Sequence, residues 1–188
     1  VRPRDTQRAK LYRAEREALP GFQALPGQEP SVEECSTFVK KVWGSAWTKK
    51  HFRRAYAFPV PWIKDGRGTT WARGSLHHLS LPLWARTKPV MLHEIAHSLT
   101  IASETPAHGP RFAACFLALV RHFLGAEKAA LFKAAFRKHH VRTRPKRKMS
   151  PAVLADLRAR GHALAAANKR AKEETEGPAD MPWVGPGA

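Results

Sequence analysis

Residues 90–100 read Val-Met-Leu-His-Glu-Ile-Ala-His-Ser-Leu-Thr, and within them His93, Glu94 and His97 take the spacing H-E-x-x-H. Residues four apart lie on one face of a helix, one turn above each other. His93 and His97 can therefore point their imidazoles at one ion, while Glu94, about 100° further round, can reach a water on that ion without ligating it. Two imidazoles alone bind weakly, and a catalytic zinc takes three protein ligands and leaves one position open. The third ligand expected is His108, in Glu104-Thr-Pro-Ala-His108-Gly109-Pro110, where a loop can reverse the chain before a new helix opens. Glu104 is the competing ligand, disfavoured because it follows His97 too closely to swing back. The chemistry this set offers is hydrolysis: the ion acidifies a water and polarises a carbonyl, and Glu94 moves the proton as general base. Zinc is the expected cofactor for three nitrogen ligands, although iron, nickel or cobalt accept the same donors. The metal-free alternative buries two histidines and a glutamate in one patch without partners, which is costly.

A metal-binding helix must be held rigidly. Met91, Ile95 and Leu99 recur at four-residue spacing with Leu92 and Ala96 beside them, so this helix is expected to pack against a sheet and neighbouring helices. Pro89 suits its first turn, and Pro110 suits that of the next helix, which carries Phe112, Phe116, Leu119, Val120 and Phe123 on one face and is stopped by Gly125. Upstream, residues 5–18 read as a helix with Leu11, Ala14 and Ala18 on one side, and Pro20 to Pro30 as a linker. Ser31-Val-Glu-Glu34 is a capping box that opens a second helix through Cys35, Phe38, Val39, Val42 and Trp43.

Between Tyr56 and Leu81 the period changes. Tyr56, Phe58, Val60 and Trp62 alternate as in a half-buried strand, a turn follows at residues 64–68, and Thr69–Ala72 and Leu76–Leu81 are further strands. An edge at Leu76–Leu81 would align an extended substrate by backbone pairing. For a developing oxyanion the candidates are weak: His77, His78 and Arg73, each more ordinary as a surface residue. No tyrosine follows the motif, since Tyr12 and Tyr56 both precede it. Residues 126–139 read as another helix. A basic run that includes Lys138, His139, His140 and Arg144-Pro-Lys-Arg-Lys148 comes next, then an alanine-rich helix from Ser150-Pro151, interrupted at Gly161, and disorder beyond Glu173.

The 188 residues suffice for one ordinary core with tails. The expected fold class is α+β, a small antiparallel or mixed sheet packed on helices. Its expected division is a hydrolase domain over residues 1–142 and a basic, partly helical extension over residues 143–188. Cys35 and Cys115 lie in apolar helical patterns and read as buried, so any metal must be held by His, Asp or Glu. The charged N-terminal stretch lacks the apolar core of a signal peptide and no apolar run reaches roughly 18 residues, so the expectation is an intracellular, cytoplasmic protein without membrane spans. A formal net charge of +18 favours salt-sensitive, non-specific attraction to nucleic acid over sequence-specific reading. Trp43, Trp47, Trp62, Trp71 and Trp84 fit core or half-buried strand positions better than base-stacking ones.

HEIAHSL at residues 93–99 followed by AHGPRF at residues 107–112 resembles the SprT-like and related small zincins, in which H-E-x-x-H precedes a His-Gly pair opening the next helix. The chain is also similar to a family of metallohydrolases of actinobacteria and their phages. It shares with them RDTQRAKLYRAE at Arg4–Glu15, LSLPLWAR at Leu79–Arg86, and HEIAH itself. The resemblance spans roughly residues 4–142 and implies a zincin-like fold and zinc-dependent hydrolysis, of peptides, with nucleic-acid-bound proteins as one substrate class. The competing expectation is a basic nucleic-acid-binding module whose metal site is structural or vestigial.

Overall fold

The computed structural model describes residues 4–101, 106–144 and 151–175, and the chain divides into two compact units, Val1–Pro145 and Lys146–Ala188. The first unit is α+β. Its helices are α1 (Arg8–Ala18), α2 (Val32–Gly44), α3 (Ala46–His51), α4 (Arg53–Ala57), α5 (Lys88–Thr100), α6 (Pro110–Phe123) and α7 (Ala126–Lys138). Its strands are β1 (Trp62–Asp65), β2 (Arg73–Gly74) and β3 (His78–Leu81). No helix among the described residues is long and apolar enough to cross a membrane.

The helix boundaries follow local chemistry. Ser31 accepts a hydrogen bond from the Glu34 N–H while the Glu34 carboxylate accepts from the Ser31 N–H, closing the capping box of α2. Thr87 caps α5 by accepting from the Val90 N–H, with Pro89 in the first turn. Gly125 takes a positive φ of 99°, the left-handed conformation that lets the chain turn from α6 into α7 without a Cβ clash. The apolar faces of these helices form one core in which Leu11, Val39, Trp43, Leu92, Ile95, Phe112, Phe116 and Phe132 are all buried.

The sheet departs from the expected one. The strand predicted through Tyr56, Phe58, Val60 and Trp62 is absent: Tyr56 lies in α4 with its side chain 82% exposed, and pairing starts only at Trp62. Pro59 and Pro61 alternate with those residues, and a proline has no N–H to give a ladder. Thr69–Ala72 likewise stays outside the sheet, which resumes at Arg73. The order is β1-β3-β2, with β1 parallel to β3 and β2 antiparallel to it. The Leu76–Leu81 segment thus holds the central strand, paired on both sides, and cannot offer the free edge expected of it; that edge belongs to β2. Leu79 and Leu81 alternate into the core.

The second unit contains α8 (Pro151–Thr175). Gly161 does not interrupt it. One helical glycine costs about 1 kcal/mol relative to alanine, too little to break a segment otherwise rich in alanine.

Candidate metal centre

Helix α5 is buried on nearly every side, so His93, Glu94 and His97 project from a backbone with little freedom. His108 arrives from the loop before α6, where the Gly109 N–H closes a turn on the Pro106 carbonyl at 3.0 Å. A Cβ at Gly109 would press on that same oxygen at 3.1 Å, which explains a small residue there. The three histidines meet. One ring nitrogen from each lies within 4.8 Å of the other two, and the Nε2 atoms of His97 and His108 are 3.1 Å apart. Nitrogens about 2.0–2.1 Å from one tetrahedral zinc lie roughly 3.3 Å from each other, so the spacing suits a shared cation. Phe112 packs on His97 and His93, with ring centroids 4.3 and 4.8 Å away, and fixes their planes. Glu104 lies outside the described residues.

The surroundings of the cluster come from a part of the chain to which the motif gives no clue. His93 Nδ1 donates to Glu15 Oε1 at 2.7 Å, and His108 Nδ1 donates to Asp5 Oδ2 at 2.6 Å. A proton held on Nδ1 leaves the Nε2 lone pair free for a metal, and the carboxylate behind it makes the ring a stronger donor. Gln7, buried, donates to the His108 carbonyl at 2.6 Å and pairs with the backbone of Arg142, tying the ligand loop to the segment after α7. The Tyr12 hydroxyl lies 3.2 Å from His108 Nε2, at the rim of the cluster. One signal in the sequence does point here. Leu11, Ala14, Glu15 and Ala18 form the buried stripe of α1, so a glutamate occupies a core position, and a buried carboxylate needs a partner.

Electrostatics favour a cation. Burial, reinforced by charge on His93, lowers the pKa of His97 well below the usual imidazole value and that of His108 to about 4, so both rings are neutral near pH 7. Burial opposes the charged form of His93, yet the Glu15 carboxylate outweighs it and raises that pKa. Burial pushes the Glu94 carboxyl up to about 7 against the opposing pull of His93, and the Tyr12 phenol up to about 12. Glu94 Oε2 and Asp5 Oδ1 are buried without a hydrogen-bond partner. Two orphaned carboxylate oxygens beside three convergent imidazoles fit a positive ion and the water it brings; in a metal-free core each would be a penalty.

The cluster is not sealed. A cavity of about 700 Å³ is lined by Glu94, His97 and His108 together with Asp5, Arg8, Tyr12 and the 72–75 segment. Of the three oxyanion candidates, Arg73 lines this cavity and His77 and His78 do not; His78 instead contacts Trp62 and Ser75. His139 pairs with Glu17 at 2.8 Å, away from the ligand cluster. The tryptophans scatter: Trp43 is in the core, Trp47 and Trp84 are half-buried, and Trp62 and Trp71 are exposed. No family model, curated protein or solved structure matches the chain. What the arrangement shows by itself is a buried three-histidine cluster able to bind a metal ion.

Proposed function

We propose that the chain is a zinc-dependent metallopeptidase of zincin-like fold, with His93, His97 and His108 as ligands and Glu94 as general base. The observation that carries this reading is the convergence of three imidazole nitrogens, two of them backed by carboxylates, beside a buried Glu94 oxygen with no protein partner. Zinc, when bound, supplies the Lewis acidity that brings a water's pKa towards neutrality and polarises a carbonyl. Glu94 takes the proton of the attacking water and returns it to the leaving nitrogen. Tyr12, in the wall of the same cavity, donates its O–H to the carbonyl oxygen as negative charge develops there. The edge of β2 pairs with an extended substrate backbone.

The cavity favours this over a purely structural ion, because structural zinc sites close with a fourth protein ligand. The charge of +18 supports a further part of the proposal, that the proteins cut include some bound to nucleic acid. The test is metal analysis joined to one substitution. The purified protein carries one zinc per chain and cleaves an unfolded protein such as casein, while Glu94→Gln keeps the zinc and loses about 10²- to 10⁴-fold in rate. Protein without stoichiometric metal, or full activity in Glu94→Gln, overturns the proposal.

A further inference from the structure

A second cavity, of about 510 Å³, adjoins the first, and Tyr12, Ala72 and Glu94 line both. These three residues are common to both cavities, and the second is further lined by Glu15, Arg16, Gln23, Thr70 and His93. Asp5, Arg8 and Arg73 give the first chamber its charge, whereas Phe22, Trp71, Trp84 and Val90 give the second an aromatic and aliphatic lining. Volumes of about 300–1,000 Å³ with apolar walls are those of ligand pockets.

Trp71 is the most informative residue of the second chamber. It is 71% exposed, in the segment between the turn after β1 and the start of β2, and among the described residues its indole makes no ring contact. An exposed tryptophan gives up the burial free energy its large surface could gain. Here it lines a pocket together with Phe22, Trp84 and Val90 and with Glu94, the candidate general base. Ala72, the next residue, leads directly into β2, so a peptide lying along that edge with its scissile amide at Glu94 would turn one flanking side chain towards Trp71.

We propose that this second chamber is a specificity subsite for a bulky apolar side chain, aromatic or large aliphatic, adjacent to the bond that is cut. The inference rests on the peptidase reading and names its substrate class: exposed, extended segments bearing a Phe, Leu or Met, as in an unfolded or locally opened protein. Trp71 sets the preference by stacking on the incoming side chain, with Trp84, Phe22 and Val90 forming the interior.

The test separates this claim from the chemistry. Binding of the pentapeptide amides Ac-Ala-Ala-Phe-Ala-Ala-NH2 and Ac-Ala-Ala-Ala-Ala-Ala-NH2 is measured by NMR on full-length, zinc-loaded Glu94→Gln protein, where turnover is strongly slowed. The phenylalanine peptide is expected to bind at least about tenfold more tightly. Trp71→Ala, at an exposed position that the core does not need, is expected to abolish the difference, and Trp71→Phe to restore most of it, with circular dichroism confirming the fold. Equal binding of the two peptides, or an undiminished preference in Trp71→Ala, overturns the subsite. If the preference holds and depends on Trp71 while the wild type cleaves neither peptide nor casein, the pocket for a bulky apolar side chain stands and the peptidase reading falls. If the wild type cleaves casein but the peptides bind alike, the peptidase stands and the subsite falls.

Discussion

A histidine is only as good a ligand as the group that holds its second nitrogen. Glu15 and Asp5 perform that service for His93 and His108, and Tyr12 sits between them without backing any Nδ1. The two kinds of neighbour should therefore separate experimentally. Glu15→Gln keeps the side chain's shape but removes its charge, and is expected to weaken zinc affinity by about 10- to 100-fold in a chelator competition. Tyr12→Phe is expected to leave that affinity within a few-fold and to lower kcat with little change in KM, as loss of an interaction made only in the transition state does. A Glu15→Gln protein that binds zinc as tightly as the wild type would contradict the assigned support. The convergence of the three histidines was legible in the sequence because helical periodicity brings His93 and His97 together and the loop before His108 is long enough to reverse the chain. Their supporting carboxylates were not, because Glu15 and His93 are brought together only by tertiary packing; the sole local hint was a glutamate in an apolar stripe.

Elements position these residues through close contact. β2 crosses α5 at Glu94 so closely that a Cβ built on Gly74 would overlap the Glu94 backbone carbonyl. Glycine is needed here for proximity and not for its φ, and the contact sets the distance between β2, the proposed substrate-pairing edge, and Glu94, the proposed base. Gly74→Ala is expected to cost about 1–3 kcal/mol in urea unfolding, the range for overpacking a tight interior, and to reduce hydrolysis beyond what that destabilisation explains. A Gly74→Ala protein of unchanged midpoint and activity would show that β2 can back away freely. Helices α2, α5, α6 and α7 were readable in advance because each joins a clear cap or turn residue to an apolar face of several turns. The strands were not. A two-residue strand such as β2 carries no period of its own, and the alternation around Tyr56 ran through prolines that forbid pairing.

At the scale of the molecule, an ion held by the three histidines would join α5, the loop before α6 and, through Glu15 and Asp5, the N-terminal segment. Its removal should be felt throughout the first unit. With free zinc at about 100 times its dissociation constant the ion contributes about 2.7 kcal/mol, and each kcal/mol corresponds to roughly 2–4 °C for a protein of this size. Excess chelator is thus expected to lower Tm by several degrees, reversibly on adding zinc, and an unchanged Tm would show that the cluster is not an ion site at all. The α+β class was accessible from composition and periodicity, whereas the order β1-β3-β2 was not, since it depends on which edge the 66–77 segment folds back to.

Helix α1 supplies Tyr12 and Glu15, and the neighbour it packs on most extensively is α7, at the opposite end of the first unit. During synthesis α1 leaves the ribosome early but finds that neighbour only after residue 138 has emerged. A nascent chain exposing HEIAH is therefore expected to lack the carboxylate support of Glu15 and to capture a metal ion poorly. A ribosome-bound fragment ending before α7 is thus expected to bind zinc more weakly than the complete first unit and, under the proposed function, to be catalytically silent.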